Sequence, residues 1–185
     1  LSIGLAELAY GILLTTRGRE EQAIAHLEES IDRYEKAHGT MWLPIAWSYL
    51  GLSCGRSGRN AKAVECLEKA LAMQAESEVQ ALLAMHHCHL GSVCLEQGEQ
   101  EKGRHHAGEA ARMAATHDEE HYQALALILM AVAEWKGCSV PLASSEERIV
   151  EGISRLEALG LKPWVAQGHL LFGEVLGDAG ERAKA

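Results

Sequence analysis

Residues 50–71 read LGLSCGRSGRNAKAVECLEKAL, and their spacing decides the fold. Gly51 and Gly58 are followed by Ala63, Leu67 and Ala70. The pattern recurs 40 residues earlier as Gly11, Gly18, Ala23, Leu27 and Ser30, and 40 residues later as Gly91, Gly98, Gly103, Ala107 and Ala110. A weaker copy closes the chain with Phe172, Gly173, Gly180 and Ala185. A fixed period of this size marks a stack of similar units, each burying its apolar face on its neighbours.

Ala, Leu and Glu are the commonest residues, all good helix formers, and no stretch alternates long enough to read as a strand. Each unit therefore reads as two antiparallel helices. The second glycine of each pair falls in the turns TRGRE, RSGRN and EQGEQ, just past a helix end, where glycine takes left-handed backbone without strain. The first glycine lies inside a helix, where it costs roughly 1 kcal/mol against alanine. It therefore predicts a close helix–helix contact, with Ala23, Ala63 and Ala70 as the small partner surface.

The predicted helices are 2–17, 19–38, 41–57, 59–75, 78–97, 99–116, 119–136, 144–160 and 163–179, with a tenth starting at Glu181. They form one domain, 1–185, of units 1–39, 40–77, 78–117 and 118–161 and a partial unit 162–185. In the fourth unit Ala131 replaces the glycine and GCSVPLASS lengthens the turn. Ser144 and Glu147 predict a capping box for the next helix, which carries Ile149, Val150, Ile153, Leu156 and Leu159 on one face.

The net charge of −9 and the lack of a basic stripe argue against a nucleic-acid partner. No apolar run reaches 18 residues, so no membrane span is expected. The chain starts without Met and stops at ERAKA, which reads as a piece of a larger protein. The five cysteines are odd in number and contain no CxxC; they read as reduced, buried thiols of a cytoplasmic protein. A phosphate-binding GxxxxGK[ST] loop and a GxSxG nucleophile elbow are both missing, and adjacent acids such as Glu20 and Glu21 diverge on a helix. Neither enzyme chemistry nor a cofactor is expected.

His86, His87, Cys88 and His89, with His105 and His106 on the paired helix, raise a metal site. Consecutive helical residues point about 100° apart, so the four cannot converge. His86 and His89 share a face that His105 would have to reach; the plainer expectation is a solvated polar helix face that picks up metal only by accident.

Trp47, Leu50, Gly51, Gly58, Ala63, Leu67 and Ala70 fall as in a tetratricopeptide repeat, and the resemblance covers nearly the whole chain. Tyr10 stands where Leu50 stands, and cysteines replace the usual tyrosine of the first helix. The resemblance implies an all-α, right-handed superhelix of antiparallel helical hairpins whose first helices line a concave side. Interaction positions would flank the in-helix glycine: Leu8 and Ile12, Ser48 and Leu52, Cys88 and Ser92, Ile128 and Val132, Leu170 and Glu174. This surface reads as largely apolar, without the lysines and asparagines that grip acidic chaperone tails. It implies a protein partner: a helix, or another part of the same polypeptide. Further helices or self-association are the other ways to cover it.

Residues 156–185, LEALGLKPWVAQGHLLFGEVLGDAGERAKA, resemble the C-terminal repeats of bacterial signalling proteins that join a class III nucleotide cyclase and an AAA-type ATPase to such an array. The implied function is a regulatory interaction scaffold of that kind of protein. The alternative is a small-molecule-sensing helical repeat domain of a transcription activator.

Overall fold

A computed structural model describes residues 2–77, 81–137 and 139–180. Among them the secondary structure is entirely helical: α1 Ser2–Thr16, α2 Glu20–Lys36, α3 Leu43–Arg56, α4 Asn60–Ala75, α5 Leu83–Glu96, α6 Gln100–Thr116, α7 Glu120–Lys136, α8 Leu142–Ala158 and α9 Lys162–Asp178. Each helix packs on the next in sequence. The odd-numbered helices also pack on one another, α1 on α3, α3 on α5, α5 on α7 and α7 on α9, whereas the even-numbered ones make no comparable contacts. The array is thus a curved stack with the odd helices on its inner side. The expected helix start at 78, Cys138 and the helix from Glu181 lie outside the described residues, but Ala81 and Leu82, expected inside that helix, form a turn with Leu82 at φ 71°, so α5 begins at Leu83.

The turn glycines end the helices as the sequence requires. Gly58 has φ +80°, and beyond it the Arg59 amide donates to the Cys54 carbonyl at 2.8 Å. Gly18 and Gly98 repeat this arrangement. It satisfies carbonyls that a helix end would leave unpaired.

Gly51 faces α4 at close range. A Cβ there would lie 2.6 Å from Leu67 Cγ and 2.9 Å from the Ala63 carbonyl oxygen. Ala63, 0% exposed, lets the backbones approach, but the side chain that excludes a Cβ belongs to Leu67. Gly11 meets Leu27 the same way, at 2.7 Å. Gly91 differs: the nearest atoms to a Cβ there would be in the Gly103 and Ala107 backbone and His106 Cβ, at 3.4–3.6 Å. In that hairpin the tight position is Gly103, 2.6 Å from Leu95, and in α7/α8 it is Gly152, 2.5 Å from Ile128.

Two expectations for the fourth unit need correcting. Helix α8 begins at Leu142 with Pro141 at its N-cap, so Ser144 lies inside the first turn and caps nothing. Proline's fixed φ, here −64°, suits that entry and moves the start two residues forward. The buried stripe of α8 is Ser145, Ile149, Gly152, Ile153 and Leu156, while Val150 and Leu159 are exposed. Val150 sits one residue past Ile149, about 100° around the helix from the buried face.

Cys54, Cys66, Cys88 and Cys94 are free and buried. Burial pushes the Cys66 thiol up to about 12, so it behaves as a small hydrophobe. No helix among the described residues is long and apolar enough to cross a membrane.

Candidate functional site

The inner side of the stack holds a groove. Helix α9 packs on α8 and α7 and makes no comparable contact with α3 or α5. The space between is a cavity of about 320 Å³. Its walls are the α1–α2 turn with Glu20, the inner faces of α3 and α5, and the side of α9 running from Pro163 to Glu174. At 1.5 Å per residue that side of α9 is about 16 Å long.

Of the ten positions implied by the family resemblance, Leu52, Ser92, Leu170 and Glu174 come together on the walls of this groove. Leu170 is 69% exposed, an apolar side chain standing in the opening. Ile12 is half-buried at the edge of the first core. Leu8, Ser48, Cys88, Ile128 and Val132 are buried in helix packing and do not line the groove. Ile128 is spent on Gly152 and Gly168, which seat α8 and α9. Ser48 joins the inner helices through a 2.9 Å hydrogen bond between its hydroxyl and His89 Nδ1. The position three before the glycine thus points at the neighbouring helix in the second and third units. The position after it reaches the concave wall in the second, third and last units.

A row of charges lies one helical turn beyond those positions. Arg56 follows Leu52 by four residues, Glu96 follows Ser92, Lys136 follows Val132 and Asp178 follows Glu174. The inner face therefore carries charges at near-40-residue intervals, alternating in sign. Arg56 donates to the Thr15 carbonyl at 3.2 Å and lies 4.0 Å from Glu20. Lys136 lies 3.9 Å from Glu174 and 3.8 Å from Asp178. Glu96 makes no ion pair among the described residues. Desolvation, with Glu174 and Glu20 nearby, raises its pKa above the usual carboxylate value, against the pull of Arg56 and Lys136. Glu20 is raised by burial too, with Arg56 and then the Ser53 hydroxyl opposing.

The other end of the groove is aromatic. Tyr49 and His89 meet edge to face, their ring centroids 4.9 Å apart, and Trp164 closes the wall from α9. His89 is 2% exposed, and burial, then His86 and Arg56, push its pKa down to about 3, so it is neutral at ordinary pH. Ser92 is 3% exposed on the cavity wall, and its Oγ has no hydrogen-bond partner.

The histidine run disperses, and it is not the solvated face expected, because α5 is buried between α3, α6 and α7 and takes His86 and His89 into the packing. His86 is fully buried and contacts Gln74 Oε1 at 3.5 Å, His89 faces the groove, and His105 is exposed. The pair that forms is His87 with His106, Nδ1 to Nδ1 at 3.1 Å, in place of a convergence of His86, His89 and His105. Among the described residues no three His, Cys, Asp or Glu side chains are grouped to hold a metal ion.

Residues 2–76 match the family model for the tetratricopeptide repeat. Aspartyl phosphate phosphatase F from Bacillus subtilis is similar in structure at 15% identity and a TM-score of 0.68, over 98% of this chain and 48% of that one. A Podosopora anserina putative kinesin light chain with nearly identical TPR-like repeats is similar at 14% identity and 0.63, over 97% of this chain and 88% of that one. A single-substitution form of that protein is similar at 14% identity and 0.64, over 97% and 87%. No curated protein matches the sequence. At these identities the structural likeness concerns the fold. Residues 2–76 therefore carry the tetratricopeptide-repeat signature, and the remaining described residues continue the same TPR-like stack of helical hairpins.

Proposed function

We propose that the array is a protein-interaction and regulatory scaffold whose concave groove receives a polypeptide segment. The observation that carries this reading is the unfilled space between α9 and helices α3 and α5, with Leu170 exposed in it. Exposed apolar side chains grouped in a groove with a polar rim are the usual mark of a recognition surface. The test is selection of a displayed random-peptide library against the chain, with the winners measured on Leu170→Asp and Glu174→Lys. Both changes sit on the open wall and should abolish binding; Leu170→Asp should leave the melting temperature unchanged, and Glu174→Lys, which sets a second lysine beside Lys136, should lower it only slightly. Binders indifferent to both changes, or no binders at all, overturn the reading.

The wider setting we propose is a larger cytoplasmic signalling protein, a nucleotide cyclase with an ATPase module. Its support is the resemblance of residues 156–185, with buried unpaired thiols favouring a reducing compartment. The check is the reading frame around this sequence, which should encode a class III cyclase domain and a phosphate-binding GxxxxGK[ST] loop upstream; a frame without them ends that assignment.

One observation favours a second reading, a small-molecule sensor. The cavity carries His89, Ser92 and Gln167 on its walls, a few polar groups among apolar ones. Calorimetry against small-metabolite panels separates the two, since a sensor binds a free metabolite and ignores every selected peptide.

A further inference from the structure

The groove is not symmetric in charge. Its lining carries Glu20, Glu96 and Glu174 against one cation, Arg56. Arg56 is already committed to Glu20 and to the Thr15 carbonyl. Lys136, just outside, is shared between Glu174 and Asp178. With those two included, four carboxylates face two cations, and among the described residues Glu96 is the carboxylate left without an ion pair. One turn before it on α5, Ser92 stands on the same wall, nine-tenths or more buried, its hydroxyl unpartnered. A buried hydroxyl without a partner is costly and calls for one. Thr15, near the same end of the groove on α1, instead donates to the Gly11 carbonyl at 3.0 Å.

We propose that this end of the groove, Glu96 with Glu20, Glu174 and Ser92, is a recognition site for an arginine or lysine side chain of the bound polypeptide. The inference rests on the groove reading above and adds the chemistry of the occupant. A guanidinium or ammonium would pair with Glu96 and offer the Ser92 oxygen a donor. In a groove walled by protein, such a pair is stronger than one on an open surface. An anion would meet the surplus of carboxylates and find only an Arg56 already engaged. A polypeptide fits better than a free amine because the groove continues for about 16 Å along α9. Past the charged end it runs by Leu52, Leu170 and Leu171 to Tyr49 and Trp164, where apolar side chains of the same segment would lie.

The experiment uses fluorescein-labelled short peptide amides of leucine and glycine with one arginine scanned through the sequence. Identical peptides carrying citrulline, the uncharged isostere, are the reference. Fluorescence anisotropy should show the best arginine peptide binding about tenfold tighter than its citrulline twin, the worth of one charge-assisted contact. Glu96→Gln should erase most of that ratio and Glu174→Gln part of it. Glutamine keeps the shape, both carboxylates are exposed, and the Lys136–Glu174 pair is a surface contact, so thermal melts of both variants should stay close to the parent. Equal affinity for the two peptides, or a ratio that survives both substitutions, sinks the basic-side-chain site and leaves the groove standing. Free arginine amide binding as tightly as the peptide overturns the polypeptide assignment. No binding by either peptide overturns the groove and the site together.

Discussion

Hairpins α3/α4 and α5/α6 are built on the same 40-residue template, yet they close differently. In α3/α4 the glycine is on the inner helix: Gly51 lies under Leu67, with no room for a Cβ. In α5/α6 the partner at the equivalent place is Ala107, so Gly91 has ordinary contact distances, and the tight pair is Gly103 under Leu95 of the inner helix. What the hairpin requires is one close approach with a large residue over a missing one, and either helix can supply the gap. The two hairpins also differ in polarity: α5 carries His86, His87 and His89 at the positions that Ala46, Trp47 and Tyr49 hold in α3.

Acid should separate the two hairpins more than any substitution. Burial pushes His86 and His87 down to about 4 and His89 to about 3, below the 6.5 of a free imidazole. The folded chain binds fewer protons than the unfolded one between those values. Stability is therefore full above about pH 6.5 and falls as pH drops toward 4. Glu20 and Glu96, whose pKa values are raised, act in the opposite direction at the lower part of that range. Hydrogen exchange from pH 7.5 downward should show α5 losing protection before α3. Simultaneous loss in both, or a melting temperature flat to pH 5, refutes the assignment.

Next in size is Gly51→Leu, which overpacks α3/α4 and should cost about 3 kcal/mol in chemical unfolding. Combining Gly51→Ala with Leu67→Ala should cost less than the sum of the two, because each relieves the other's misfit. Strict additivity would mean the Leu67 contact is not what excludes the side chain.

Gly58→Ala should cost about 1 kcal/mol for a separate reason, an L-residue held at positive φ, and nothing lies within 4 Å of its Cβ position. If that variant is neutral, the left-handed cap contributes nothing.

A slight change is expected at the glycine of the third hairpin. Gly91→Ala should be neutral or stabilise by up to about 1 kcal/mol, since a Cβ there meets its nearest atom at 3.4 Å and alanine is the better helix former. A loss matching that of Gly51→Ala would mean the two hairpins close alike after all.

The 40-residue spacing of glycine pairs made the helical hairpins, their order and the turns at Gly18, Gly58 and Gly98 legible in the sequence alone. These depend on local backbone preference and on which face of each helix is apolar, and both are written in consecutive residues. Four of the ten expected concave positions also lie on the groove. The charged row at Arg56, Glu96, Lys136 and Asp178 was readable too, one turn further along the same face, because residues four apart share a side of a helix.

How far the stack curves, and where it leaves space, is set by packing between helices. Whether Ile128 fills a gap or lines a groove depends on Gly152 and Gly168, which approach from two other helices. Which histidines meet depends on the rotation of α6 against α5, which brings His106 to His87 and leaves His105 in solvent. The groove itself arises because α9 leans on α7 and α8 and stands off from α3 and α5. Such angles are sums of many side-chain contacts between segments distant in sequence. A repeat pattern specifies each unit and its neighbour, and small differences at each junction accumulate into a curvature that no single unit encodes.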